Sequence, residues 1–377
     1  MIVHAAPWVV PMAAPPVRDG AVALDGDRVA AVGPLSQLRA LGAVVEHGGV
    51  LLPGLVNAHL HLELSHLRVP GGDGLVPWIE RLMAARARVA SDGAAVTQAA
   101  REAALAMAAR GTVAAVDISN DGGSASLLAD AGIEPHVLHE RIAPRGEPAP
   151  SALRGLVETA HATYSCGETA LRALAARNGG RLASIHVEED PAEADWLLDG
   201  SGPLAGFLGR RDALPAAPPR LRPVPWLESL GVLGAGTLLV HLTVADADSL
   251  ARAARHGCVA VLCPRSNLHI GGRLPPVDGV RAAGLRVALG TDSLASCATL
   301  DVLGDVQQLA RAGVDPAWLL RAATVGGGDA IGSPHLGALS VGKRPGLIAI
   351  GDDGHGLREP LAWLAHEGAD APARRIA

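Results

Sequence analysis

Short runs of β-branched and other apolar residues recur along the chain, separated by stretches rich in Ala, Leu and Arg with helical spacing. The runs fall at 51–59 (LLPGLVNAH), 111–119 (GTVAAVDIS), 134–141 (EPHVLHER), 157–165 (VETAHATYS), 182–189 (LASIHVEE), 237–243 (TLLVHLT), 258–266 (CVAVLCPRS) and 286–293 (RVALGTDS). The segments between them, such as 76–110, 167–179, 245–257 and 301–323, are long enough for helices. Strand alternating with helix predicts parallel βαβ units, and eight of them predict an α/β fold of the (β/α)8 TIM-barrel type. No glycine-rich nucleotide fingerprint favours a doubly wound sheet.

The chain ends read differently. Residues 1–50 hold short alternating segments with turns (GAVALDGDRVAAVGP), and 336–350 (GALSVGKRPGLIAI) repeats that style. The expected organisation is a catalytic barrel over 51–335 and a small β-sandwich satellite built from 1–50 plus 336–377. The Pro-, Gly- and Arg-rich stretch 199–225 reads as a long loop after the fifth strand.

Composition narrows the function. With Lys+Arg 32 against Asp+Glu 38 and a net charge of -6, no basic surplus favours nucleic acid as a partner. No apolar run reaches the ~18 residues of a membrane span, and MIVHAAPWVV lacks the basic start of a signal peptide. Cys166, Cys258, Cys263 and Cys297 contain no CxxC pair and do not form a disulfide or zinc-ribbon pattern, and Cys258 and Cys263 read as reduced, strand-packed thiols. A cytoplasmic enzyme acting on a small molecule is expected. The single lysine, Lys343, excludes any mechanism that needs a lysine in mid-chain.

Polar residues out of keeping with apolar strands cluster at the predicted strand ends. They are His59 and His61, then His161, His186 with Glu189, His241 and Asp292. Barrel active sites form at that pole. In His-x-His the period of two puts His59 and His61 on the same face of a strand, a good arrangement for a divalent metal. His186 and Asp292 can complete a shell that suits zinc first and ferrous iron as the alternative, which would lower the pKa of a bound water to about 7. Glu189, three residues after His186, fits a general acid/base, with Glu188 its competitor but better read as a solvated loop carboxylate. Asp292 can take the water's proton, and His241 can orient the water or the intermediate.

The segments PGLVNAHLH (53–61), HxxE (186–189), His241, CPRSN (263–267) and GTDS (290–293) together resemble the amidohydrolase superfamily. The similarity is greatest to its mononuclear-metal aminohydrolase and chlorohydrolase branch, which includes guanine, cytosine and thioadenosine deaminases. The resemblance implies His59, His61, His186 and Asp292 as metal ligands, Glu189 as proton shuttle and His241 as an aid to the water. AHATYS (160–165) resembles that branch's strand-4 segment, which implies a substrate contact for His161. Binuclear members use a carboxylated lysine on strand 4, and its absence here implies one metal. A homodimer is common among such relatives.

Within the branch, NAHLHLELSHL (57–67) and CPRSNLHIGGRLPPV (263–277) look most like aminodeoxyfutalosine deaminases. Thioadenosine deaminases carry a Glu before the Trp of the first helix, for the ribose diol; here Pro77 precedes Trp78, so that contact does not carry over. Trp78, Arg265 and Asn267 are candidate substrate contacts, while Glu63 and His66 either line the pocket or are solvated. The expected activity is hydrolytic release of ammonia from an amino-substituted heteroaromatic ring. The alternatives are a chlorohydrolase or cyclic amidohydrolase and, outside enzymes, a metal-holding scaffold.

Overall fold

Each of the eight apolar runs contains a strand. The computed structural model describes residues 1–89, 93–213 and 217–377. Strands β1 (Ile2–Val9), β2 (Val17–Asp25), β3 (Arg28–Pro34), β4 (Ala43–Glu46) and β5 (Val50–Pro53) come first. Then follow β6 (Leu55–Leu60), β7 (Thr112–Ser119), β8 (Glu134–Arg141), β9 (Val157–Ala160), β10 (Ala183–Val187), β11 (Thr237–His241), β12 (Val259–Leu262) and β13 (Arg286–Leu289). The last two are β14 (Leu347–Ile350) and β15 (Ala373–Arg375).

Strands β6 to β9 and β10 to β13 form two four-stranded sheets, parallel throughout and in chain order. Their outer strands approach each other at both seams, where Leu60 bridges Asp292 and Ala162 bridges His186. β7, β11 and β12 are buried along their whole length, which is the pattern of strands covered on both faces. Burial of each Leu or Val in them contributes about 1.5–3 kcal/mol. The helices between supply the outer cover. In Ala247–Arg255, Ser249, Leu250 and Ala253 face inward, Asp246 caps the start by accepting from the Ser249 amide, and Gly257 follows its end. Among the described residues no helix is long and apolar enough to cross a membrane.

The chain ends pair into one seven-stranded sheet, ordered β15-β14-β5-β1-β2-β3 with β4 beside β1. The sequence run 51–59 is therefore two strands. β5 joins the terminal sheet and β6 starts the parallel set, with the break at Gly54, where a Cβ would lie 2.3 Å from the Val113 side chain. The terminal segment is also not purely β. Helix Pro360–Glu367 packs against helices Val302–Arg311 and Pro316–Arg321 through buried Leu364 and Ala365. The stretch 199–225, expected to be a loop, contains helix Gly202–Gly209 and the start of Pro223–Ser229; residues 214–216 lie outside the described part. In both helices a proline near the N-terminus starts the helix rather than breaking it.

The terminal sheet buries two histidines in contact. His4 Nδ1 lies 3.1 Å from His47 Nε2, and Arg374 donates to His47 Nδ1 at 2.6 Å. Burial first, then the charges of His4 and Arg374, push His47 down to about 4. The unfolded chain therefore takes up a proton below the ordinary value of 6.5 that the folded chain refuses. Stability present above that value is lost as pH falls towards 4. The expected loss between pH 7 and pH 5 is about 1–2 kcal/mol from this ring. Urea melts at the two pH values check it: His47→Gln should show the smaller pH drop, and equal drops would contradict the assignment.

Candidate active site

The seam between β6 and β13 is built by residues of the two motifs that carry no chemistry themselves. Asn57 donates to Thr291 Oγ1 at 2.7 Å, and the Thr291 amide returns a bond to Asn57 Oδ1 at 3.2 Å. The His59 carbonyl accepts from the Thr291 and Asp292 amides, and the His61 amide donates to the Asp292 carbonyl. Gly290 allows this approach, because a Cβ there would lie 2.9 Å from the His59 Cβ and carbonyl oxygen and 3.0 Å from Cys263 Sγ. Asp117, on β7, accepts from the Leu62 amide at 2.7 Å and so pins the chain directly after His61. His241, Leu242, Asp292 and Glu188 all have positive φ, between 50° and 80°. Such strain costs about 1–3 kcal/mol per residue and concentrates at functional sites.

His59, His61 and His186 converge. His186 Nε2 lies 3.2 Å from the Nε2 of each of the other two. His186 Nδ1 sits 2.8 Å from the His161 carbonyl, which can only accept, so Nδ1 carries the proton and Nε2 is a bare lone pair. Burial first, then neighbouring imidazoles, holds all three rings below the ordinary histidine range. The bare His186 Nε2 faces the Nε2 atoms of two further neutral rings, a nest that fits a cation. Asp292 adds to it: Oδ1 lies 3.8 Å from His61 Nε2, while Oδ2 accepts from Ser266 at 2.5 Å and Ser296 at 2.8 Å. Donor types and convergence both fit one divalent metal, zinc or ferrous iron. A second group, Glu140 with His161, shares His186 with the first.

Glu189 and His241 sit beside this nest, His241 Nε2 lying 3.6 Å from Glu189 Oε1. Burial first, then the charges of Asp292, Glu193 and Asp190, push the Glu189 carboxyl well above the ordinary range. That direction favours the protonated carboxyl, the form able to give a proton. The His241 ring stacks on His186 at 5.3 Å, and burial keeps it neutral. Asn267 Nδ2 lies 2.9 Å from His241 Nδ1; donating there leaves the proton of His241 on Nε2, the side of Glu189.

Above the nest lies a cavity of about 330 Å³. His61, His186, Glu189, His241 and Asp292 reach it. Leu75, Trp78, Ile79 and Phe207 form an apolar wall, and Glu63, Asn120, Glu140 and His161 a polar one. His161 holds Ser165 Oγ through Nδ1 at 2.7 Å and meets Tyr164 edge-on. Trp78 and His161 both line the cavity.

Three expectations need correction. The candidate substrate contacts Arg265 and Asn267 lie in helix Pro264–Gly271, which the proline starts, and neither lines the cavity. Arg265 turns away to Asp305 at 2.7 Å, Thr299 and the Asp301 carbonyl. Asn267 holds His241 instead of a substrate. Glu188 is not solvated: it is fully buried, accepts from Ser249 Oγ at 2.8 Å and is pushed up to about 7 by burial. Arg265→Ala should therefore leave KM unchanged while costing about 3 kcal/mol of stability, because buried Asp305 loses its cation. Denaturant melts beside steady-state kinetics separate the two effects.

Glu63, Asn120 and Glu140 form the polar wall that sequence reasoning did not single out as a unit. Glu63 accepts from the Asn120 amide at 2.9 Å and from its side chain at 2.6 Å, and His66 contacts the Glu63 carbonyl rather than the cavity floor. Burial pushes Glu140 up to about 7. Glu140 lies near a strand end as His186 does, but the strand EPHVLHER is itself mostly polar, so the residue does not stand out in sequence.

Comparison with known proteins gives the family and the fold. Residues 50–366 match the amidohydrolase family, and residues 20–41 match an imidazolonepropionase-like composite domain of bacteria. The aminodeoxyfutalosine deaminase of Deinococcus radiodurans is 32% identical over 354 residues, covering 83% of this chain and 81% of that protein. The crystal structure of Helicobacter pylori aminofutalosine deaminase with methylthio-coformycin superposes with a TM-score of 0.84, covering 100% of both chains at 20% identity. Atrazine chlorohydrolase from Arthrobacter aurescens, complexed with zinc, superposes at 0.79, covering 97% of this chain and 91% of that one at 20% identity. Family match, identity to a relative and shared fold lead to one statement: this chain belongs to the amidohydrolase family.

Proposed function

We propose that the protein is a metal-dependent hydrolase that releases ammonia from an amino-substituted heteroaromatic ring of nucleobase or nucleoside type, with aminodeoxyfutalosine the leading candidate. The observation that carries the reading is a buried Glu189 carboxyl beside His241, facing a nest of imidazoles and Asp292 across one cavity. Its scaffold is read as a (β/α)8 barrel over about residues 54–335 with a satellite formed by the chain ends. His59, His61, His186 and Asp292 would hold one divalent cation, zinc first because the zinc-bound chlorohydrolase shares the fold, with iron the alternative. Such a cation supplies Lewis acidity that activates water at neutral pH.

The residues of the chain do the rest. Glu189 gives its proton to a ring nitrogen, which makes the adjacent carbon electrophilic. Asp292 receives a proton from the attacking water through Oδ1, its other oxygen being fixed by Ser266 and Ser296. His241, held in one tautomer by Asn267, donates from Nε2 to the oxygen as charge develops. The proton held by Asp292 passes to the amine, the C–N bond breaks and ammonia leaves, while the hydroxyl proton of the intermediate restores Glu189 and the ring carbon keeps the oxygen as a carbonyl. Trp78 and its apolar neighbours seat the ring's substituent, and His161 contacts the substrate from the polar wall.

Chloride release or cyclic-amide hydrolysis is the second reading, favoured by the fold shared with atrazine chlorohydrolase. A halide needs no protonation, whereas an amine does, and a buried carboxyl beside the nest can supply the proton. Four buried, unpaired cysteines fit a reducing, cytoplasmic compartment, and a homodimer is the expected assembly. Ammonia release by metal-loaded protein across aminopurines, aminopyrimidines, adenosine-type nucleosides and aminodeoxyfutalosine tests the proposal. Release from one ring type supports it, and silence across the panel from fully metallated protein overturns it.

A further inference from the structure

Asp190-Pro191-Ala192-Glu193 reads as a helix start, with Asp190 the N-cap of helix Pro191–Asp199 and Glu193 at its third position. In the usual capping box a glutamate at that position reaches back to the amide of the cap residue. Here it reaches one residue further. Glu193 Oε2 accepts from the Glu189 amide at 3.1 Å, and Oε1 is bonded by the Thr163 hydroxyl. The cap itself is provided for: Asp190 Oδ1 accepts from the Ala192 amide at 2.9 Å. A cap glutamate ordinarily faces water, yet Glu193 is fully buried. Burying a carboxyl this deeply costs several kcal/mol unless its oxygens are bonded, and both are bonded to active-site loops.

We infer that Glu193 is a positioning residue, a buried clamp that fixes the backbone of Glu189 and ties it to the loop after β9 that carries His161 and Tyr164. The turn it holds is strained. Glu188 has φ 50°, a left-handed conformation that sends its own side chain to Ser249 while Glu189 faces the cavity. Without the clamp the Glu189 amide loses its side-chain acceptor and the turn is free to relax. Burial pushes the Glu193 carboxyl up to about 8, so glutamine copies its neutral form: its carbonyl accepts from Glu189 and its amide donates to Thr163.

The role rests on Glu189 being the acid/base group, and the experiment separates the two. Glu193→Gln, Glu193→Ala and Thr163→Val are compared with wild type for kcat, KM, metal content and amide exchange in the segment 186–193. Glu193→Ala should lower kcat about 100-fold, as a misplacement near 1 Å does, with KM and metal content nearly unchanged and faster exchange at Glu189. Glu193→Gln should retain most of kcat and the amide protection. Thr163→Val, which leaves the carboxyl in place, should lower kcat about tenfold by releasing one arm. Wild-type kcat in Glu193→Ala or in Thr163→Val overturns the inference, as does a glutamine variant no better than alanine. If Glu193→Ala does not fold, Thr163→Val decides alone. If wild type turns over nothing, the deaminase reading fails, and amide protection lost in Thr163→Val still tests the clamp.

Discussion

Glu189→Gln should keep its metal and lose about 10³-fold or more in kcat, the upper part of the range for a positioned general acid/base. The glutamine has the same shape and fits the same buried place, 3.6 Å from His241. It has no proton to give a ring nitrogen. Metal content should not change, because the converging imidazoles and Asp292 do not include residue 189. Steady-state ammonia release beside metal analysis reads both quantities. Retention of most of the activity would remove Glu189 from the acid/base role and leave Glu188, buried against Ser249, as the remaining carboxyl of that strand end.

His186→Ala should abolish metal binding and turnover together. His186 is the ring common to both 3.2 Å contacts, and its Nδ1 bond to the His161 carbonyl aims the free lone pair. Loss of a residue that only supports a ligand lowers metal affinity about 10–100-fold, so loss of a ligand should exceed that. Folding should respond as well. A cation at 100 times its Kd adds about 2.7 kcal/mol to stability, so chelation should lower the melting temperature of wild type. It should leave His186→Ala unmoved. His241→Asn is the control: it should lose turnover but keep the metal and the chelator response. Full metal content in His186→Ala would show that the cation sits elsewhere, with the Glu140 and His161 group the next place to look.

Much of this site is legible in sequence because its chemistry is tied to strand ends. Alternation of two brings His59 and His61 to one face, and parallel strands in chain order bring His186, His241 and Asp292 to the same pole. What sequence does not carry is which way a side chain leaves its loop or helix. Arg265 and Asn267 follow a strand as substrate contacts often do, but Pro264 starts a helix there, and its geometry sends one to Asp305 and the other to His241. Glu188 and Glu189 are indistinguishable in a string. A positive φ at Glu188 separates them, with Arg222 and Ser249, far along the chain, holding the Glu188 carboxylate and Glu193 of the next helix holding the Glu189 amide. The split of 51–59 was equally hidden, since only the close approach of Val113 and Pro345 shows that Gly54 ends one sheet and begins another.

Turnover in heavy-oxygen water by the metal-loaded protein tests hydrolytic deamination most directly, with aminodeoxyfutalosine and methylthioadenosine as substrates. Ammonia and the ring product are measured in the same reaction. The expected result is one ammonia per product molecule, one solvent oxygen in the new ring carbonyl, and neither in Glu189→Gln. No ammonia from fully metallated wild type, or a ring product without solvent oxygen, would contradict it.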